Sequence, residues 1–154
     1  DVTVICVYIP SGEAEGPKYE YKMDFLEDFL LWINELRKER PNIVVCGDYN
    51  IAHKPIDINH PERQVGVSGF LPEERAWLDR WEASGMVDTF RMFDQSAEKY
   101  SWWSFRAASR VRNVGWRIDY HWVSEPLRER VTNAKILADV VHSDHCPVSI
   151  EVRG

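Results

Sequence analysis

The sequence predicts an α/β sandwich, and three observations carry that expectation. Short continuous apolar runs, "VTVICVY" and "IVVC", have the composition of strands covered on both faces. Two longer stretches, "YKMDFLEDFLLWINELRKER" and "LPEERAWLDRWEAS", space their apolar residues as amphipathic helices do. At 154 residues and 44% hydrophobic, the chain suits one domain with a packed core, and no repeat, low-complexity tract or linker divides it.

In chain order, residues 2–8 read as a buried strand ended by Pro10, Ser11 and Gly12. A polar loop follows through Pro17. The first helix then buries Met23, Phe25, Leu26, Phe29, Leu30, Ile33 and Leu36, carries Lys and Arg in its last turn, and is stopped by Pro41. The "IVVCGDYN" run is the next strand, and residues 51–70 form a long polar loop with Pro55, Pro61, Gly66 and Gly69. The second helix has Pro72 early, Glu73 and Glu74 in its first turn and Gly85 at its end. Further strands are expected near 100–105, 117–123, 131–137 and 147–152.

Composition narrows the function. A net charge of −6 argues against a generally basic, non-specific nucleic-acid binder, but leaves room for a local basic rim around an acidic centre. Cys6, Cys46 and Cys146 form no CxxC pair and sit in apolar runs, so they read as reduced core residues of a cytosolic protein. No apolar stretch is long enough to span a membrane, and no signal peptide is visible.

Three stretches carry chemistry. In "VVCGDYN" an apolar strand ends at Gly47 and presents Asp48 and Asn50, expected on one face with Tyr49 on the other. Asp can orient or deprotonate a water and Asn can donate to a phosphoryl oxygen, although both residues also build ordinary turns. In "HSDHCPVSIEV", Asp144 and His145 enter the last strand, offering a hard-oxygen metal ligand and a group that titrates near neutrality. A zinc site using His142 and His145 lacks the further Cys or His that would complete it. In "NVGWRIDYHWVS", Asp119 falls on an inner strand where an ionised carboxylate needs a partner. His145 is one candidate, and an ion pair with Arg117 is the plainer alternative. Between them, residues 102–117 collect Arg106, Arg110, Arg112 and Arg117, the donor Asn113, and Trp102, Trp103 and Trp116, with no acid. Such a segment suits phosphate contacts and packing on sugars or bases, or else consists of solvated Arg beside core Trp.

Together, "GDYNIAHKPIDI", "SGFLPEER", "NVGWRIDY" and "SDHCPV", in that order, resemble the exodeoxyribonuclease III group of AP endonucleases, within the endonuclease/exonuclease/phosphatase superfamily. The resemblance implies a four-layer α/β/β/α sandwich and Mg²⁺-dependent hydrolysis (Mn²⁺ as a substitute) of double-stranded DNA, at abasic sites and at 3′ ends. It implies Asp48 as the water-activating carboxylate, Asn50 and Tyr8 at the phosphate, and His145 beside the scissile phosphate, oriented by Asp119. Asp48, Asn50, Asp144 and His145 would surround metal. Trp102 and Trp116 would line the pocket for an abasic sugar, Arg106 would enter the duplex, and Trp103 and Asn113 would contribute to the same DNA surface.

The family's amino-terminal metal ligands, an Asn and the Glu of a "QE" motif, have no counterpart, and Ser11 stands where relatives have Asn. Residues 1–154 are therefore expected to be a partial domain with one sheet incomplete, an apolar face exposed and little activity alone. A cytoplasmic bacterial monomer is the default expectation. Two other readings compete: a superfamily phosphatase or phosphodiesterase acting on small or lipid phosphates, and a non-catalytic fragment that binds DNA or a partner. The basic aromatic segment 102–117 weighs against the former.

Overall fold

The structure, a computed structural model, describes residues 1–154. Its elements are β1 (Thr3–Tyr8), α1 (Pro17–Glu39), β2 (Ile43–Asp48), α2 (Pro72–Ala83), β3 (Met86–Asp88), α3 (Thr89–Phe93), β4 (Trp102–Trp103), β5 (Gly115–Trp116), β6 (Asp119–Ser124), β7 (Val131–Ile136) and β8 (Val148–Val152). The main sheet runs β1-β2-β6-β3, with β1 parallel to β2 and β6 antiparallel to β2 and β3. β7 and β8 form a separate antiparallel pair, and β4 and β5 a two-residue ladder.

Helices α1 and α2 cover one face of the main sheet. Leu26, Phe29, Leu30 and Ile33 of α1 and Trp77, Leu78 and Trp81 of α2 share a core with Ile43, Val45, Tyr120 and Trp122. Trp77 and Trp81 stack at 5.3 Å between ring centroids, and Phe29 lies 5.6 Å from Trp81. On the opposite face, Val44, Val87 and Val123 meet Val131, with Ile150 and Val152 of β8 packed against them. The predicted α/β sandwich is thus present, with helices on one face of the main sheet and the β7–β8 pair on the other. No helix is long and apolar enough to cross a membrane.

Several sequence expectations are corrected. β1 is an edge strand, not a fully buried one: its burial alternates, and Val4 and Tyr8 are 66% and 64% exposed. Of the cysteines only Cys146 is core, whereas Cys6 is exposed and Cys46 half-buried. The strand expected over 100–105 contracts to two residues, and β6 begins at Asp119 rather than 117. The stretch "MVDTFRMF", left unassigned by periodicity, is β3 followed by the single-turn α3.

Arg117 is the largest departure. It is 1% exposed and makes no pair with Asp119. Its Nε donates to Asp57 Oδ1 at 2.8 Å, and its Nη1 and Nη2 grip Asp88 at 3.0 and 2.5 Å. Arg91 adds a bond to Asp57 at 2.7 Å. The guanidinium also lies 4.7 Å from the Tyr120 ring centroid. Burial alone would raise the Asp57 carboxyl, but Arg117 and then Arg91 overcome it and hold it below the usual carboxylate range. This network ties the 51–70 loop to β3 and β6, and so braces the strands that carry the site.

Candidate active site

Antiparallel pairing sets Asp48, at the end of β2, opposite Asp119, at the start of β6. Gly47, at φ 138°, is required between them and β1, because a Cβ there would fall 1.9 Å from the Val7 carbonyl oxygen. After Asp48 the strand stops. Asn50 adopts φ 50°, and its N–H donates to Asp48 Oδ1 at 2.8 Å. The expectation that Asp48 and Asn50 share one strand face is therefore replaced by an Asx turn, which fixes the Asp48 carboxylate directly. The Asn50 carboxamide nitrogen donates to the Ile9 carbonyl at 2.7 Å. Tyr49, between them, is fully buried.

The loop before β8 delivers His145. Its Nδ1 lies 2.8 Å from Asp119 Oδ2 and its Nε2 lies 3.9 Å from Asp48 Oδ2. Donor atoms of Asp48, Asp119 and His145 all lie within 4.8 Å of one another. Burial first, and the Asp119 charge second, push the Asp48 carboxyl up to about 6. The hydrogen bond to Asp119 raises His145 above its ordinary value, favouring imidazolium. Two crowded carboxylates and an imidazole suit a divalent cation, whose charge would relieve the repulsion that lifts Asp48. The donor chemistry present fits a metal.

Asp144 stands outside that group. Trp102 Nε1 donates to its Oδ2 at 2.9 Å and Ser143 Oγ to its Oδ1 at 3.1 Å. Burial works to raise Asp144, and these two hydrogen bonds outweigh it, so its carboxyl lies below the ordinary value. Beside His145 a cleft of about 350 Å³ opens, lined by Asn50, Ser68, Gly69, Trp102 and Trp116 among others. Trp102 and Trp116 meet edge to face at 6.1 Å across the β4–β5 ladder. Tyr8 pairs in register with Asp48 and is largely exposed. Arg106 is exposed on the adjoining 3-10 turn, Arg106–Ala108.

Of the expected DNA surface, Trp103 turns inward, and the half-exposed Asn113 has its carboxamide engaged within its own loop. Trp103 is 3% exposed and packs with Tyr100 and Cys146, since neighbours on a strand face opposite ways. Asn113, at φ 52°, accepts from Trp103 Nε1 at 3.0 Å and donates to the Glu98 carbonyl at 3.1 Å. Both ends of its carboxamide shape the loop from within. Arg110 likewise donates to the Ser143, Ala138 and Val140 carbonyls, holding the His145 loop.

Sequence reasoning passed over a buried ion pair between Lys22 and Glu74. It also passed over a second acidic group, His53 with Asp79 and Glu82, next to α2. The only signal for Glu74 was its place in "GFLPEER", where a helix N-terminus is already expected to bond an acidic side chain.

A family model described as the endonuclease/exonuclease/phosphatase family matches residues 2–145. The exodeoxyribonuclease of Bacillus subtilis (strain 168) is 42% identical over 151 residues, covering 97% of this chain and 60% of that protein. The DNA repair nuclease APEX1 of Danio rerio is 32% identical over 151 residues, covering 97% of this chain and 48% of that protein. The 3′ phosphatase NExo from Neisseria, solved with a product DNA hairpin, superposes with a TM-score of 0.93 at 27% identity, covering 99% of this chain and 62% of that one. The chain thus spans about half to three fifths of these relatives' length. A match that runs from β1 to the histidine of the Asp48–Asp119–His145 cluster leaves one conclusion: the chain belongs to the endonuclease/exonuclease/phosphatase family.

Proposed function

We propose that residues 1–154 form part of one domain of a Mg²⁺-dependent DNA repair nuclease, which hydrolyses phosphodiesters of double-stranded DNA at abasic sites and at 3′ ends. The observation that carries this reading is the Asp48–Asp119–His145 cluster opening onto the Trp102–Trp116 cleft. Relatives named for exodeoxyribonuclease and DNA repair nuclease activity support it. The protein in this reading acts as a monomer, in the cytoplasm.

The residues divide the work. Asp48 accepts a proton from the attacking water, its carboxylate held in place by the Asn50 N–H. Asp119 holds His145 by Nδ1, so that Nε2 is left to donate to a phosphoryl oxygen, and its raised pKa keeps that proton on. Asn50 and Tyr8 border the same space and supply further polar contacts to the phosphate. Asp48 and His145, with Asn50 and Asp144 at the margin, are the groups that would hold Mg²⁺ or Mn²⁺, His145 doing so only as neutral imidazole and not while it donates to the phosphate, and the ion would supply charge neutralisation at the phosphate. Trp102 and Trp116 exclude water around a flipped-out abasic sugar, a nucleotide with no base to unstack. Arg106 meets the duplex backbone or stack beside it.

The test is incision of an abasic-site duplex in Mg²⁺ by this chain and by a version extended at its amino terminus with the amino-terminal part of the Bacillus subtilis exodeoxyribonuclease. The extended protein should cleave, and this chain should cleave far more slowly. Cleavage by neither overturns the enzyme reading. A duplex bearing a 3′-phosphate, run in parallel, measures the 3′-end activity.

A further inference from the structure

Lys22 points from α1 into the interior and is 2% exposed. Burying an ammonium is costly unless it is fully paired, and an apolar side chain would fill the same space at lower cost. Two of the three Lys22 N–H donors find acceptors within the protein. Lys22 Nζ meets Glu74, itself 1% exposed, and donates to the Asn50 carbonyl at 2.8 Å. Glu74 Oε1 in turn receives the Gly69 N–H at 2.7 Å and the Leu71 N–H at 3.0 Å.

Each end of this pair reaches the site through one further residue. Asn50 is the residue whose N–H fixes Asp48, and it sits in the left-handed region. Gly69 lines the cleft and packs directly against Trp116: a Cβ there would fall 2.7 Å from the Trp116 ring. The Gly69 carbonyl also accepts from Ala52 N–H at 2.8 Å, so the two backbone segments are clasped together. One buried ion pair therefore holds both the turn that aims the base and the floor of the aromatic cleft.

We propose that Lys22 and Glu74 are positioning residues, which set the orientation of Asp48 through the Asn50 turn and the width of the cleft through Gly69. Neither touches substrate. The proposal rests on the hydrolytic reading of the site, while the geometry it invokes is measurable without activity.

The test compares Lys22→Arg, Glu74→Gln and the double variant Lys22→Met with Glu74→Gln, which leaves no unpaired buried charge and so keeps the fold if a single Lys22→Met does not. In the amino-extended protein, steady-state incision of an abasic duplex in Mg²⁺ should show kcat of the double variant reduced by about 10–100-fold, the scale of sub-ångström to 1 Å misplacement of a catalytic group. KM should stay within about threefold, and Lys22→Arg should recover most of kcat. In the chain itself, amide hydrogen exchange at Asn50 and Gly69 should accelerate in the double variant while that of Val44 and Val45 in β2 is unchanged. A folded double variant with kcat within about twofold of the parent and unaltered exchange at Asn50 and Gly69 overturns the proposal. If the parent does not incise at all, the hydrolytic reading fails, and the exchange result alone decides the positioning role.

Discussion

Asp48→Asn is expected to move activity and stability in opposite directions. In the amino-extended protein, loss of the base should lower kcat for abasic-site incision by about 10²–10⁴-fold. The same change should stabilise the metal-free fold. A raised carboxyl binds its proton more tightly folded than unfolded, so its contribution to stability is present below the unfolded value and lost as pH rises. For Asp48 that window runs from its ordinary 3.8 to about 6. At full burial this difference corresponds to about 3 kcal/mol. Asp48 keeps partial solvent contact, so the gain at pH 7.5 is on the order of 1 kcal/mol, a rise of about 2–4 °C in Tm. Asparagine retains an oxygen for the Asn50 N–H and removes the repulsion with Asp119. Thermal melts at pH 4 and 7.5 check the sign, because the advantage of the variant should vanish at the lower pH. A variant less stable than the parent at pH 7.5 would contradict the crowded-carboxylate account.

Arg117→Ala carries the largest expected cost to the fold. Removing the guanidinium leaves Asp57 and Asp88 without their shared cation, with Arg91 the remaining charged partner of Asp57. Breaking a buried pair from one side costs about 3–5 kcal/mol, a large share of a small domain's stability. Urea unfolding should show the midpoint falling with the slope unchanged. The pH dependence follows from Asp57, whose carboxyl is held low in the fold. The stability it contributes is present above its unfolded value, about 4, and is lost as pH falls through its folded value. The parent should therefore lose stability steeply below pH 4, and Arg117→Ala should lose much less there. Loss of under about 1 kcal/mol in the variant would reduce Arg117 to a surface-like pair.

How much of this was legible beforehand depends on sequence distance. Both long helices announced themselves by periodicity, and Pro41 and Gly85 marked their ends. The turn after "VVCGD" is visible as a turn, but the left-handed Asn50 that builds it is not, because strand alternation carried to Asn50 runs two residues past the end of β2. Arg117 looks like a partner for Asp119 only because the two stand two residues apart on one stretch. Its actual partners lie 60 and 29 positions away, beyond any local pattern. Trp102 and Trp103 were both assigned to the DNA surface, although neighbours on a strand face opposite ways, so one of them had to turn inward. Basic segment 102–117 suits phosphate contacts or solvated Arg beside core Trp, and sequence alone does not sort its members between the two. Arg110 and Arg117 instead bind carbonyls and carboxylates of the chain, which leaves Arg106 and Arg112 as the exposed cations of the segment.

The central claim is that Asp119 and His145 act as one unit beside Asp48. A double-mutant cycle on incision kcat tests it most directly, using Asp119→Ala, His145→Ala and the double variant in the amino-extended protein. If Asp119 works by orienting and charging His145, the double variant should be no slower than His145→Ala within about threefold, and the two single losses should not multiply. Losses that multiply would mean that the 2.8 Å contact between them carries no catalytic coupling.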